Sequence, residues 1–97
     1  MTIFAINICT DTKSTDRYNK VAVNPYPIIM IGSLETLKSK LNNDDTKQFV
    51  KNLFRTKSLY DSAVFRIRSV DNKGMVDEFE WKVSDICELQ ETDFNAI

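Results

Sequence analysis

Residues 62–84, SAVFRIRSVDNKGMVDEFEWKVS, have the pattern of two β-strands joined by a tight turn. In both halves apolar side chains alternate with polar ones, so each strand has one apolar face and one largely charged face. The turn Asp71-Asn72-Lys73-Gly74 suits a type I turn closed by a glycine in the left-handed conformation, because glycine has no Cβ to clash there. The segment therefore predicts an antiparallel hairpin.

The turn also predicts how the two strands pair. With Asp71 opposite Met75, apolar residues meet on one face and opposite charges meet on the other. A shift of one residue would lose every such pair at once, so the register is strongly specified. The predicted pairs are Val70 with Val76, Arg68 with Glu78, Ile67 with Phe79, Arg66 with Glu80, Phe65 with Trp81, and Ala63 with Val83.

Two further extended segments precede the hairpin. Residues 2–9, TIFAINIC, alternate in strand fashion and are rather apolar on both faces, which is typical of a central strand. Residues 10–19 contain no aliphatic side chain and predict a surface loop. Residues 21–31 are interrupted by two prolines and predict one bent or bulged strand that returns antiparallel to the first.

Two helices are predicted between the strand pairs. Ser33 is a suitable N-cap for a short helix that ends near Leu41. Asp44 or Asp45 is predicted to cap a second, amphipathic helix. After the hairpin, the apolar residues near Ile86 predict either a further turn of strand or a short helical turn.

The order strand, strand, helix, helix, strand, strand predicts an α+β fold. A chain of 97 residues is expected to form one domain, residues 1–97, with one core. We expect an antiparallel sheet of four to five strands with both helices on its apolar face. The predicted core residues are Phe4, Ile6, Ile8, Leu34, Leu37, Leu41, Phe49, Leu53, Phe65, Ile67, Phe79 and Trp81.

Composition argues against catalysis. The chain has no histidine, which excludes Ser-His and Cys-His mechanisms, and its two glycines do not form a phosphate-binding loop. Its two cysteines, far apart in the chain, are expected to be reduced thiols, and no cofactor or metal is predicted. We expect a cytoplasmic protein, because no apolar stretch approaches the length of a membrane span and no leader pattern is present.

One pattern resembles an enzyme motif. Glu80-Trp81-Lys82, with Asp71 and Asp77 upstream, is similar to the acid-x-Lys element of metal-dependent nucleases, in which carboxylates hold Mg²⁺. The same residues equally suit the charged face of a hairpin with Arg66 opposite Glu80. A nuclease-like enzyme is therefore only a lesser alternative, and the sequence favours a protein that is not an enzyme.

Charge is uneven along the chain and suggests a second alternative. Residues 38–68 carry eight bases and three acids, whereas residues 71–97 carry two bases and eight acids. A nucleic-acid-binding domain would use the basic face of the second helix and its end. The residues of that face are Lys47, Lys51, Arg55 and Lys57.

By elimination, we expect a small protein that acts by binding another protein, as an inhibitor, adaptor or regulatory subunit. A phage-type accessory protein directed at a host enzyme would fit this description. Tyrosine and arginine most often anchor such interfaces, and acidic side chains can mimic nucleic-acid phosphates. The predicted partner-binding residues are Arg17, Tyr18, Tyr26, Asp85 and Glu88.

Overall fold

The computed structural model describes residues 2–11, 20–24, 26–54 and 56–94. In chain order, its elements are β1 (Thr2–Asp11), β2 (Lys20–Ala22), β3 (Ile28–Gly32), α1 (Leu34–Leu41), α2 (Asp44–Leu53), α3 (Lys57–Ser62), β4 (Val64–Val70), β5 (Val76–Lys82), α4 (Val83–Cys87) and a 3₁₀ helix (Glu91–Phe94). The prediction of an α+β fold is confirmed.

β1 lies in the middle of an antiparallel sheet. β4 pairs along one edge of β1, and β5 pairs in turn with β4. Along its other edge, β1 pairs with β3 near its start and with β2 near its end. β2 and β3 therefore share one strand position, so the five strands fill four positions. The bent strand predicted for residues 21–31 is thus two short strands on the same edge of β1.

The central hairpin has the predicted register. The pairs Arg68 with Glu78 and Phe65 with Trp81 are both present, as are the intervening ones. In the turn, the Gly74 amide donates to the carbonyl oxygen of Asp71 at 3.1 Å, and Gly74 has a φ of 79°. The regular ladder ends at Lys82, but the Val83 amide still donates to the Ala63 carbonyl at 3.1 Å.

The core lies between the helices and one face of the sheet. Residues at alternate positions of β1 and β4 supply the sheet side of the core, and all four α-helices contribute to the other side. Its buried residues are Phe4, Ile6, Ile8, Leu37, Leu41, Val50, Phe54, Tyr60, Ala63, Phe65, Ile67, Val83, Ile86 and Cys87.

Two predicted core residues on the helices are wrong. Leu34 is 54% exposed, because α1 turns Leu37 toward the sheet and leaves its own first residue outside. In α2, Val50 is buried and its neighbour Phe49 is exposed. Adjacent residues of a helix point about 100° apart, so only one of these two can face the sheet fully. Leu53, on the same helix, is only partly buried.

The two aromatic residues predicted for the core on β5 lie at its margin. Phe79 and Trp81 point toward the helical layer, but both are only partly buried. β5 is the last strand of the described sheet, and side chains on an edge strand have a neighbouring strand on one side only.

The helices differ from prediction in two respects, one N-cap and one additional helix. The N-cap of α2 is Asn43, whose side chain accepts from the Thr46 amide, so neither aspartate has that role. Helix α3, which the sequence pattern does not predict, is capped by Thr56. Ser33 caps α1 as predicted, in a capping box with Thr36.

Candidate functional site

The sheet face opposite the helices carries the most distinctive surface of the described chain. We call it the open face. Strand register places four β-branched apolar residues side by side across it: Ile31, Ile3, Val70 and Val76. Ile31 is 50% exposed, Ile3 48% and Val76 61%. This set, the apolar row, runs from one edge of the sheet to the other.

A charged zone adjoins the apolar row. Arg66 Nε donates to Glu80 Oε2 at 2.9 Å, and Arg68 donates through one terminal nitrogen to Glu78 Oε2 at 3.2 Å. The hydrogen bond from Glu80 raises the pKa of Arg66. Because both pairs lie on an exposed surface, they contribute little net stability and mainly set the polarity of this zone. A shallow concavity of about 380 Å³ lies here, lined by Ala5, Asn7, Pro27, Arg66, Arg68 and Glu78.

Between β2 and β3, a buried side chain replaces the missing strand contacts. Asn24 Oδ1 accepts from the Ile8 amide at 2.9 Å, and Asn24 Nδ2 donates to the Tyr26 carbonyl oxygen at 2.7 Å. Asn24 thereby satisfies a buried backbone donor of β1 and holds the backbone of the next segment. Tyr26 projects from this anchored segment and is 81% exposed. The next residue, Pro27, lines the concavity on the open face.

The structure describes three of the five predicted partner-binding residues and does not bring these three together. Arg17 and Tyr18 lie outside the described residues. Tyr26 is on the segment beside β1, whereas Asp85 and Glu88 lie at α4, after β5, toward the opposite edge of the sheet. There they line a shallow cleft of about 310 Å³ with Lys38, Ser39, Asn42 and Ile86.

The predicted basic face is divided between two helices, because α2 ends at Leu53 and Lys57 is the first residue of α3. Acidic groups also interrupt it. Lys51 lies 3.8 Å from Asp93, and Lys57 contacts both carboxylate oxygens of Asp61 at 3.1 Å. Lys47 shares a cleft of about 370 Å³ with several acidic residues, including Asp44 and Glu88. Arg55 lies outside the described residues.

The acidic residues of the nuclease-like pattern bond to separate partners or lie on different faces, and do not converge on one point. Glu80 pairs with Arg66, and Asp71 Oδ1 accepts from the amides of Lys73 and Met75 within the turn. Asp77 lies on the face of β5 opposite to that of Glu80. Across the described ranges, no group of three or more potential ligand side chains could hold a metal ion.

Cys9 and Cys87 are both buried, and no disulfide joins them. Burial raises the pKa of the Cys87 thiol to about 11, against a smaller opposing effect of Lys47. A thiol with so high a pKa stays protonated at neutral pH and is a poor nucleophile.

The apolar row was not among the predicted site residues. Its signal in the sequence is that residues 2–9 and 28–31 are apolar on both faces, which also fits a central strand covered on both sides. In the structure the helices cover one face, and the second apolar face lies in solvent along the row.

No described helix is long and apolar enough to cross a membrane. The chain matches no protein-family model, no curated protein and no solved structure.

Proposed function

We propose that this protein is not an enzyme and acts by binding another protein through the open face of its sheet. The observation that carries the proposal is the apolar row, in which Ile31, Ile3 and Val76 remain about half exposed or more. Contiguous exposed apolar residues with a polar border mark protein interaction sites, whereas isolated ones need no explanation.

The exposed Tyr26 directly precedes Pro27, which lines the concavity on the open face, and is a second candidate contact. Asn24 already holds the backbone carbonyl of Tyr26, so binding a partner there would cost less conformational entropy. Tyrosine offers a large apolar contact area with a polar hydroxyl, and it is enriched among residues that dominate binding energy. The concavity beside Pro27 gives a partner side chain a place to enter, and Arg66 and Arg68 can fix its orientation.

Inhibitor, adaptor and regulatory subunit all fall within this proposal, as does a phage-type accessory protein directed at a host enzyme. The nucleic-acid alternative gains no support from the basic helix face, where Lys51 and Lys57 have acidic neighbours.

The test is affinity capture from an extract of the native host, followed by calorimetry with the captured protein. The variant Ile29→Lys with Ile31→Lys places charge in and beside the apolar row, where both side chains are exposed. We expect its melting temperature to stay within a few degrees and its affinity to fall by at least about tenfold.

The matched control is Leu34→Lys with Leu59→Lys, which makes the same change at two exposed apolar residues on the helices. The control should bind the partner as tightly as the unmodified protein. Equal binding by both double variants would refute the open face as the interface.

A further inference from the structure

We propose that the outer edge of β5, beside which no described strand lies, accepts an extended segment of the partner protein, in which apolar residues alternate with arginine or lysine. This inference rests on the proposed function, because it specifies the chemistry of a protein partner. It concerns a different surface from the apolar row, although the two meet at Val76.

The backbone of β5 offers an edge for hydrogen bonding. On this edge the Glu78 amide donates to Asp77 Oδ1 at 2.9 Å, and it would exchange this acceptor for a carbonyl oxygen of the added strand. The hydrogen bonds from Asp71 to Met75 and from Val83 to Ala63 mark two bonded pairs of the β4–β5 ladder. In an antiparallel ladder, bonded and non-bonded pairs alternate. Residues 77, 79 and 81 therefore bond to β4, and the amides and carbonyls of residues 76, 78, 80 and 82 point outward. No described strand pairs with this edge.

The open face of β5 selects basic side chains. Glu78 and Glu80 are exposed, and among the described residues each accepts from its arginine through Oε2. A carboxylate has lone pairs on both oxygens, so Oε1 can accept a second cationic donor from a strand on the other side. Val76, the end of the apolar row, would face an apolar residue of the same strand.

The opposite face of β5 selects apolar side chains. Phe79 and Trp81 are partly buried, with ring centroids 5.3 Å apart, and Lys38 Nζ lies 5.9 Å from the Trp81 ring centroid. Side chains on an added strand would cover the aromatic surface that faces the edge. Cross-strand aromatic and β-branched pairs of this kind are favourable.

β4 shows that such a strand fits the side chains of β5. Its sequence, VFRIRSV, places arginine opposite Glu80 and Glu78 and apolar residues opposite Trp81 and Phe79. A strand with the same alternation on the outer edge would meet the same side chains from the other side. A peptide with the sequence of residues 63–70, AVFRIRSV, is therefore a direct probe.

A second copy of the chain is a poorer occupant. Antiparallel self-pairing of β5 centred on Phe79 places Glu78 opposite Glu80 of the copy, and centring on Glu78 or Glu80 places that glutamate opposite itself. Like charges directly opposite one another are destabilising, and charged residues on an edge strand discourage self-association.

The experiment titrates the capped peptide AVFRIRSV into the ¹⁵N-labelled full chain and records amide shifts and hydrogen exchange. We expect saturable shifts and slower exchange at the outward amides of residues 76, 78, 80 and 82. The control peptide, with both arginines replaced by glutamate, should bind at least about tenfold more weakly.

A charge-exchanged protein provides the second arm. Arg66→Glu and Arg68→Glu combined with Glu78→Arg and Glu80→Arg keep both cross-strand pairs and the net charge, and should reverse the preference between the two peptides. If this variant does not fold, Glu78→Gln with Glu80→Gln keeps an acceptor for each arginine and should bring the two affinities within about threefold.

The proposal is overturned by the absence of binding at millimolar peptide, by equal binding of both peptides, or by shifts confined to β1 and β3. It is also overturned if dilution alone speeds exchange at the four outward amides, since a second copy would then occupy the edge. None of these outcomes affects the proposed function, which depends on the Ile29 and Ile31 variant.

Discussion

At the scale of single residues, the side chain of Asn24 stabilises the sheet where the strand beside β1 is interrupted. Its side chain takes the place that a strand residue would occupy beside β1, between the ends of β2 and β3. A buried backbone amide without a hydrogen-bond partner destabilises the fold. Because the Asn24 side chain accepts from the Ile8 amide, the strand can be interrupted here and Tyr26 can project.

The variant Asn24→Ala leaves the Ile8 amide without its acceptor in a buried position. We expect it to lower the free energy of unfolding by about 1–3 kcal/mol, measured by urea denaturation. The control Asn52→Ala removes an exposed hydrogen bond to Gln48 and should change stability by less than about 0.5 kcal/mol. Equal stability of the two variants would contradict the role assigned to Asn24.

Cys87 gives the protein an alkaline limit. Its pKa is about 11 in the folded chain, against an ordinary value of 9.0. Between these values the unfolded chain loses the proton and the folded chain keeps it, so stability falls as pH rises through this window.

We expect this thiol to account for a loss of about 2 kcal/mol between about pH 9 and pH 11, measured by urea denaturation at each pH. The variant Cys87→Ala should be less stable at pH 7 because of its cavity, but should show a smaller alkaline loss. Burial is the largest cause that raises the pKa of Tyr60, and the charge of Cys87 raises it further, so Cys87→Ala removes that second contribution and reduces the alkaline loss in the same direction. An identical pH dependence of both proteins would rule the thiol out.

At the scale of elements, the hairpin of β4 and β5 organises the sheet through its turn. Asp71 closes the turn with both its backbone and its side chain, and Gly74 supplies the left-handed residue. Turn geometry and cross-strand pairing agree on one register, so neither has to be strained to satisfy the other.

The variant Gly74→Ala tests the turn without altering packing, because a Cβ at this position would meet nothing within 4 Å. We expect a loss of about 1 kcal/mol in urea denaturation, since alanine is disfavoured at positive φ. Gly74→Asn should lose less, because asparagine tolerates the left-handed region. A stability order in which asparagine is worse than alanine would show that the conformation of the turn is not the cause.

At the scale of the whole molecule, the helices cover one face of the sheet and leave the other open. On the covered face, burial decreases from β4 to the edge strand β5. Phe65 on β4 is buried completely, whereas its cross-strand neighbour Trp81 on β5 is only partly buried. The stabilising contribution of an apolar side chain scales with the area it removes from water.

We therefore expect Phe65→Ala to cost about 3–5 kcal/mol and Trp81→Ala to cost about 2 kcal/mol, although tryptophan is the larger residue. Chemical denaturation of both variants measures the difference, and tryptophan fluorescence of the unmodified chain should indicate partial exposure. A larger loss for Trp81→Ala would mean that the edge is covered.

The sequence determined the features that depend on neighbours close along the chain. The register of β4 and β5 follows from a four-residue turn and from side chains that alternate on both sides of it, so Arg66 meets Glu80 without help from any distant segment. The central place of β1 and the cap at Ser33 were predictable for similar reasons, namely periodicity and local hydrogen bonding.

Only the tertiary structure decided which apolar surfaces are buried. The apolar stripe of α1 allows several rotations, and contact with the sheet buried Leu37 and left Leu34 outside. Residues 2–9 are apolar on both faces, and alternation alone does not say which face the helices cover. Packing one helical layer on one face buried Phe4 and left Ile3, with the rest of the apolar row, in solvent, because a chain of this size has no second layer in its described residues to cover them.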